Sequence, residues 1–219
     1  MPISVHTRKT IVAALAKGLD FTVEPVIPFD PPANWEALSP TGLIPVMADG
    51  DFTLPDSSVI CAYLERTHPM PALYPKDTEC LMRALWLEEY CDGTIFRQLV
   101  HGLFFQKVIR PGMLGEETDV AEIERILGEV RPKVFAYLEG EMRSGFLVGS
   151  ALTIADIALA SNLINYRYLG FEIDEGQYPR MAAYLRTVLA YEPIAEALRR
   201  ERPFAEQMNL DPGFLAERA

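Results

Sequence analysis

The side chains best spaced for chemistry lie between Ser39 and Ser58, in the run S-P-T-G-L-I-P-V-M-A-D-G-D-F-T-L-P-D-S-S. Pro40 and Gly42 break any preceding helix, and Leu43, Ile44, Val46 and Met47 then form an apolar run too short for anything but a buried strand. Pro45 interrupts that run. A proline cannot donate to a sheet ladder, so it belongs where the strand begins, and an X-Pro bond adopts cis far more readily than any other peptide bond. A cis Ile44-Pro45 bond would turn the Ile44 N–H and C=O outward together, offering an extended peptide one donor and one acceptor. Asp49-Gly50 is a hairpin signal, Phe52 to Leu54 the return strand, and Pro55-Asp56-Ser57-Ser58 a helix start that Asp56, Ser57 or Ser58 can cap. Free N–H groups and the positive dipole end at such a start suit a carboxylate. Edge backbone beside an anion-holding helix start reads as a peptide-carboxylate site.

The elements that must position this device follow along the chain. Met1 to Ser4 is extended at most, Thr10 to Leu19 reads as an apolar-rich helix stopped by Gly18, and Phe21 to Val26 alternates as a strand does. Pro28, Pro31 and Pro32 forbid regular structure until Trp35 to Leu38 can make a turn of helix, and a second helix runs from about Ser57 to Arg66. His68 to Pro75 carries three prolines in eight residues and reads as a linker between domains. Beyond Asp77 the apolar spacing is helical to about Leu210, broken at Arg110-Pro-Gly112, Ser144-Gly145, Leu169-Gly170 and Gln177-Tyr-Pro179, which predicts five or six helices in one bundle. Thr153 and Asp156 have capping-box spacing at the start of an apolar helix, a stabilising role with no chemistry assigned.

Composition bounds the partners. With 49% apolar residues the chain buries a core, and 31 acidic against 20 basic side chains give a net charge of -11, which argues against nucleic acid or an anionic membrane. No apolar run approaches the ~18 residues of a membrane span. Three cysteines, Cys61, Cys80 and Cys91, lack the spacing of a disulfide framework or a metal site, so no metal is expected and a reducing, cytoplasmic setting fits. Cys61 on a buried helix and Cys91 beside acids have surroundings that disfavour a reactive thiolate.

The motifs G-L-I-P-V-M and L-P-D-S-S-V-I-C-A-Y-L-E resemble the glutathione-binding half of the cytosolic glutathione S-transferase family, and the resemblance, to a bacterial-type, serine-like member, covers nearly the whole chain. It implies an α+β protein: a thioredoxin-like domain over residues 1–75, then an all-α bundle over residues 76–219 that carries an acceptor pocket. Family members have a full strand before the first turn. Here only Met1 to Ile3 precede Ser4, so the first strand is expected to be short or truncated.

Residue by residue, the resemblance implies the following roles. The turn Ile3-Ser-Val-His-Thr-Arg-Lys9 is similar to the family's Ser-Pro-aromatic-x-Arg turn, with Val5 and His6 replacing the proline and the aromatic, which makes Ser4 the catalytic hydroxyl and Thr7 the second choice. The competing reading is that both hydroxyls cap the helix at Thr10. His6 is a base or an aromatic substitute, or simply a packing residue. Ile44 and Pro45 would meet the cysteinyl part of glutathione, and Asp56 and Ser57 the γ-glutamyl end. Leu43 stands where Lys or Gln is common, so Arg8, Lys9 or another group must replace that charge. Tyr90, Phe96, Arg97, His101 and Phe105 are candidates for the acceptor pocket, although aromatics at helical spacing are more often core. Asp92 resembles an acid that reaches the glutathione of a partner subunit.

The implied function is a glutathione transferase that activates the thiol of its co-substrate for attack on a small hydrophobic electrophile. Glutathione-dependent isomerisation or dehalogenation, or a non-catalytic binding role, are the alternatives. A homodimer is implied as well, with Tyr63, Arg66 and His68 of one subunit facing Trp86, Glu89 and Tyr90 of the other.

Overall fold

Helix α1 (Val5–Ala16) begins five residues before the position that the apolar pattern suggests. Ser4 takes the extended conformation of a helix-capping residue, φ −64° and ψ 134°, and its carbonyl accepts the Arg8 N–H at 2.8 Å, so the expected turn at Ile3 to Lys9 becomes the first turn of the helix. Gly18, at φ +66°, ends the segment in the left-handed conformation that glycine adopts without penalty. In this computed structural model residues 1–142 and 145–218 are described.

A single turn, α2 (Trp35–Leu38), precedes the hairpin of β1 (Val46–Asp49) and β2 (Phe52–Pro55), antiparallel with Val46 opposite Pro55 and Asp49 opposite Phe52. The Ile44-Pro45 bond is cis and the strand starts just after it, as the proline requires. The expected buried run is corrected: Leu43 is 65% exposed and burial begins only at Ile44, in part. α3 (Ser57–Thr67) returns across the hairpin and buries Ile60, Cys61 and Leu64 against α1.

Phe21 to Val26 does not form the predicted strand. Phe21, Val23 and Val26 do face inward while Thr22 and Glu24 face out, so the alternation correctly reported sidedness. A ladder needs a neighbour at ~4.8 Å, and a cavity of about 630 Å³ stands between this segment and β1 instead. Ile11, Val23, Val46 and Ile60 line it, and the Met1 ammonium donates to the Val26 carbonyl at its rim, 3.1 Å away. The sheet of the described residues is therefore the two-stranded hairpin alone.

The segment from His68 to Asp77 is irregular, as its prolines dictate, and the Leu73 carbonyl accepts the Ile154 N–H at 2.9 Å, which ties it to the helical half. The first helical rod comprises α4 (Thr78–Glu89), wider π-type turns over Tyr90–Val100, α5 (His101–Phe104) and further π-type turns over Phe105–Leu114. The break expected at Arg110 to Gly112 is not there. Pro111 is accommodated inside the last turn, and the rod ends at Gly115, φ +66°, where the Gly115 and Glu116 N–H groups both return to the Arg110 carbonyl. A second rod joins α6 (Val120–Arg125), a π-type turn over Ile126–Val130 and α7 (Arg131–Glu141). The break expected at Ser144 lies outside the described residues. α8 (Ile154–Tyr168), α9 (Pro179–Leu189) and α10 (Glu192–Gln207) follow; the expected breaks at Gly170 and Pro179 bound the connection between α8 and α9, whereas the division of α9 from α10 at Ala190 and Tyr191 has no counterpart among the expected breaks. No helix among the described residues is long and apolar enough to cross a membrane.

α8 is the centre of the helical half, buried along all its length except Arg167 and packed on α1, α4 and α9. Its first turn is held by Asp156, whose carboxylate receives the Leu147 N–H at 2.8 Å, the Thr153 N–H at 2.8 Å, the Thr153 hydroxyl at 3.0 Å and the Tyr184 hydroxyl at 3.2 Å. Burial holds this carboxyl above the usual carboxylate range despite its donors. Asp156→Ala would orphan two buried N–H groups. Urea unfolding should show a loss of about 2 kcal/mol or more, against ~1 kcal/mol for Asp119→Ala, the exposed cap of α6. Equal losses at the two sites would contradict the assigned role.

Candidate functional site

The site is assembled around the first two turns of α1, where Arg8 and Lys9 stand side by side and are both fully buried. Isolated buried cations are prohibitively costly, so each must find acids elsewhere in the fold. Arg8 donates through Nε to Glu201 Oε2 at 2.7 Å, through Nη1 to the Ser161 carbonyl at 2.8 Å and through Nη2 to the Ile3 carbonyl at 3.2 Å. Burial pushes the Glu201 carboxyl up even with Arg8 beside it. Lys9 Nζ donates to Ser58 Oγ at 2.8 Å, to Glu88 Oε1 at 2.9 Å and to Asp92 Oδ2. Burial alone would push the ammonium down, but Asp92 and Glu88 more than reverse this and hold it above its ordinary range. With both cations so engaged, neither replaces the charge absent at Leu43.

Asp56 opens α3 at φ +76° and ψ 125°, a positive-φ conformation outside the left-handed helical well, and its Oδ1 accepts the Ser58 N–H at 2.9 Å and the Val59 N–H at 3.1 Å. Ser57 is buried with its Oγ 3.5 Å from His6 Nδ1. The same Nδ1 lies 3.6 Å from Asp92 Oδ1, a buried oxygen with no hydrogen-bond partner of its own, while Ser58 Oγ donates to Asp92 Oδ2 at 3.3 Å. Asp92 is thus held within its own chain. Burial pushes the His6 imidazole below its ordinary value; Asp92 and Asp56 oppose that effect, and Lys9 and Arg97 add to it.

From His6 an aromatic row runs along the first rod. The His6 and Phe96 rings meet edge to face at 4.5 Å, Phe96 and His101 lie 5.5 Å apart, and His101 and Phe105 stack at 6.4 Å. Arg97 is exposed beside this row. Tyr90 belongs to a different group: it packs on Tyr137 at 4.7 Å and Trp86 at 5.9 Å, and the Trp86 indole N–H donates to the Tyr137 hydroxyl at 2.7 Å.

The structure therefore brings together Asp56, Ser57, Asp92, Phe96, His101 and Phe105, and separates Tyr90 from them. Ile44 and Pro45 sit at the rim of the 630 Å³ cavity, which Thr7 also lines with a buried hydroxyl that has no partner. Ser4 caps α1 through its backbone, and its side chain makes no capping bond, so the reading of both hydroxyls as helix caps at Thr10 is replaced. Sequence reasoning missed the Lys9, Glu88 and Ser58 cluster. Arg8 and Lys9 just ahead of the apolar run Ile11 to Ala14 were the available signal, since they share a short helix whose following turn must face a core. Cys61 and Cys91 are fully buried, and burial pushes the Cys61 thiol up to about 12 and the Cys91 thiol well above its ordinary value, so neither supplies a thiolate. Among the described residues no group of three or more His, Cys, Asp or Glu is placed to hold a metal ion.

Residues 1–72 match the family model described as the glutathione S-transferase N-terminal domain, and residues 119–187 match the glutathione S-transferase C-terminal domain. A glutathione S-transferase of Triticum aestivum is 26% identical over 203 residues, 93% of this chain and 92% of the relative. Glutathione S-transferase theta-1 of Bos taurus is 29% identical over 169 residues, 75% of this chain and 68% of the relative. A crystal structure of a glutathione S-transferase from Rhodospirillum rubrum F11 shares the fold with a TM-score of 0.81 at 24% identity, over 90% of this chain and 89% of that one.

Proposed function

Because this chain belongs to the glutathione S-transferase family, we propose that it binds glutathione at the start of α3 and activates the thiol for attack on a small hydrophobic electrophile. The observation that carries this reading is the meeting, at one helix start, of Ser57, His6 and the unpartnered Asp92 oxygen with the aromatic row of Phe96, His101 and Phe105. Donor and acceptor sites would share that border. Ser57 at the head of α3 takes the γ-glutamyl carboxylate, favoured by the positive end of that helix, while Asp56 helps to hold the ammonium and the Ile44 backbone pairs with the cysteinyl unit.

Chemistry requires the thiolate, and an ordinary thiol with a pKa near ~8.5 is largely protonated at neutral pH. The Ser4 hydroxyl at the head of α1, together with the positive end of that helix, lowers that value, each unit corresponding to ~1.4 kcal/mol. The electrophile lies against Phe96, His101 and Phe105, with Arg97 at the edge; Tyr90 stands apart from it, packed on Trp86 and Tyr137. Cys61, Cys80 and Cys91 are free, consistent with a cytoplasmic setting.

The chain pairs as a two-fold dimer through apolar residues left exposed on α3 and α4: Val59, Met82, Leu85 and Trp86. With a charge of -11 on each chain the contact must rest on apolar burial.

Two measurements test the reading. The ultraviolet difference spectrum of bound glutathione at neutral pH should show the thiolate band, and Ser4→Ala should weaken it with binding retained. Bound glutathione without that band in the parent protein would favour the non-catalytic binding role. Sedimentation at low and high salt should give a dimer under both conditions, and a monomer under both would remove the proposed pairing.

A further inference from the structure

His6 touches all three parts of the site: Ser57 at the start of α3, Asp92 of the Lys9 cluster, and Phe96 at the head of the aromatic row. Its position follows from helix geometry, since residues three apart share a face and His6 lies one turn before the anchored Lys9. The side chain keeps 23% of its surface exposed, enough to meet a ligand seated at that helix start. Its Nδ1 stands at 3.5 Å from a hydroxyl and 3.6 Å from a carboxylate oxygen that has no other partner, so the imidazole is poised between an anion-binding and a cation-binding group.

We propose that His6 is a binding residue for the γ-glutamyl end of the tripeptide, its imidazolium sharing the α-carboxylate with Ser57 while Asp92 Oδ1 and Asp56 face the α-ammonium. The site then reads the zwitterion as a whole, and the inference rests on the glutathione reading above. Charged groups reach His6 from each element packed on it: Lys9 on α1, Asp56 on α3, and Asp92 and Arg97 on the first rod, with His101 behind Phe96. In the free protein burial keeps the imidazole below its ordinary value, and an incoming carboxylate restores the charged form. Binding therefore takes up a proton. The sign follows: His6 is held lower in the free state than in the bound state, so the added affinity is fully present below the free-state value and is lost as pH rises through the bound-state value.

S-methylglutathione is the probe, because its blocked sulfur removes thiol ionisation from the balance. Calorimetry at about pH 6 and about pH 8, in buffers of different ionisation enthalpy, should show affinity about tenfold greater at the lower pH, with proton uptake, the factor that one unit of pKa shift confers. His6→Gln should abolish both the preference and the uptake, and His6→Phe should do the same while keeping the ring against Phe96. S-methylcysteinylglycine, which lacks the γ-glutamyl group, should bind weakly with no pH preference. A flat affinity in the parent protein, or the same pH dependence in both variants, would overturn the role of His6 and leave the glutathione reading standing. No binding of S-methylglutathione at any pH would sink both.

Discussion

The buried ammonium of Lys9 is the contact on which the site depends. Its three acceptors belong to three elements: Ser58 to α3, Glu88 to α4 and Asp92 to the π-type turns that continue α4. A cation out of water is tolerable only when its partners are in place, so these elements are fixed relative to α1 or the charge is uncompensated. Arg8, the next residue back, points about 100° around the helix and takes the opposite anchorage, on Glu201 of α10 and the Ser161 carbonyl of α8. The first helix is thereby bolted to the helical half on two sides. His6 inherits its place over the start of α3 from this arrangement, and so does the border between Ser57 and Phe96.

The rest of the first half is held less firmly. α1 and α3 pack closely, but the side facing Phe21 to Val26 opens into the 630 Å³ cavity, where Ile11 and Ile60 meet space rather than backbone. The helical half shows the contrast: α8 is enclosed by its neighbours, and Asp156 gathers four donors to set its first turn. Rigidity therefore reaches the site from the helical side, through Lys9 and Arg8, more than from the two-stranded hairpin.

What was legible in the sequence was local. The cis proline at Pro45, the Asp56 cap, the Gly18 stop and the pairing of Thr153 with Asp156 all arise within a few residues, where spacing dictates geometry. Phe21 to Val26 shows the limit of that kind of reading, because a period of two reveals which side chains face inward but not whether a neighbouring strand exists. Pro111 shows another, since the wider turns around it let the rod run on to Leu114. The Lys9 and Arg8 anchors were illegible for a different reason: their acids lie 79, 83 and 193 residues away, and no local pattern marks them as partners. Asp92 was visible as an acid but not as the counter-ion of a buried lysine.

A double-mutant cycle between Lys9→Met and Asp92→Leu, read by urea unfolding, tests most directly whether this buried cluster joins the two halves. Lys9→Met leaves Glu88 and Asp92 without their cation, Asp92→Leu leaves Lys9 with Glu88 as its one carboxylate, and each should cost about 3 kcal/mol. The pair changed together should fall short of the sum by about 1 kcal/mol or more, the non-additivity of groups in one network. Two small losses that add within ~0.3 kcal/mol would show that Lys9 and Asp92 are not coupled, and that something other than this ion cluster positions the site.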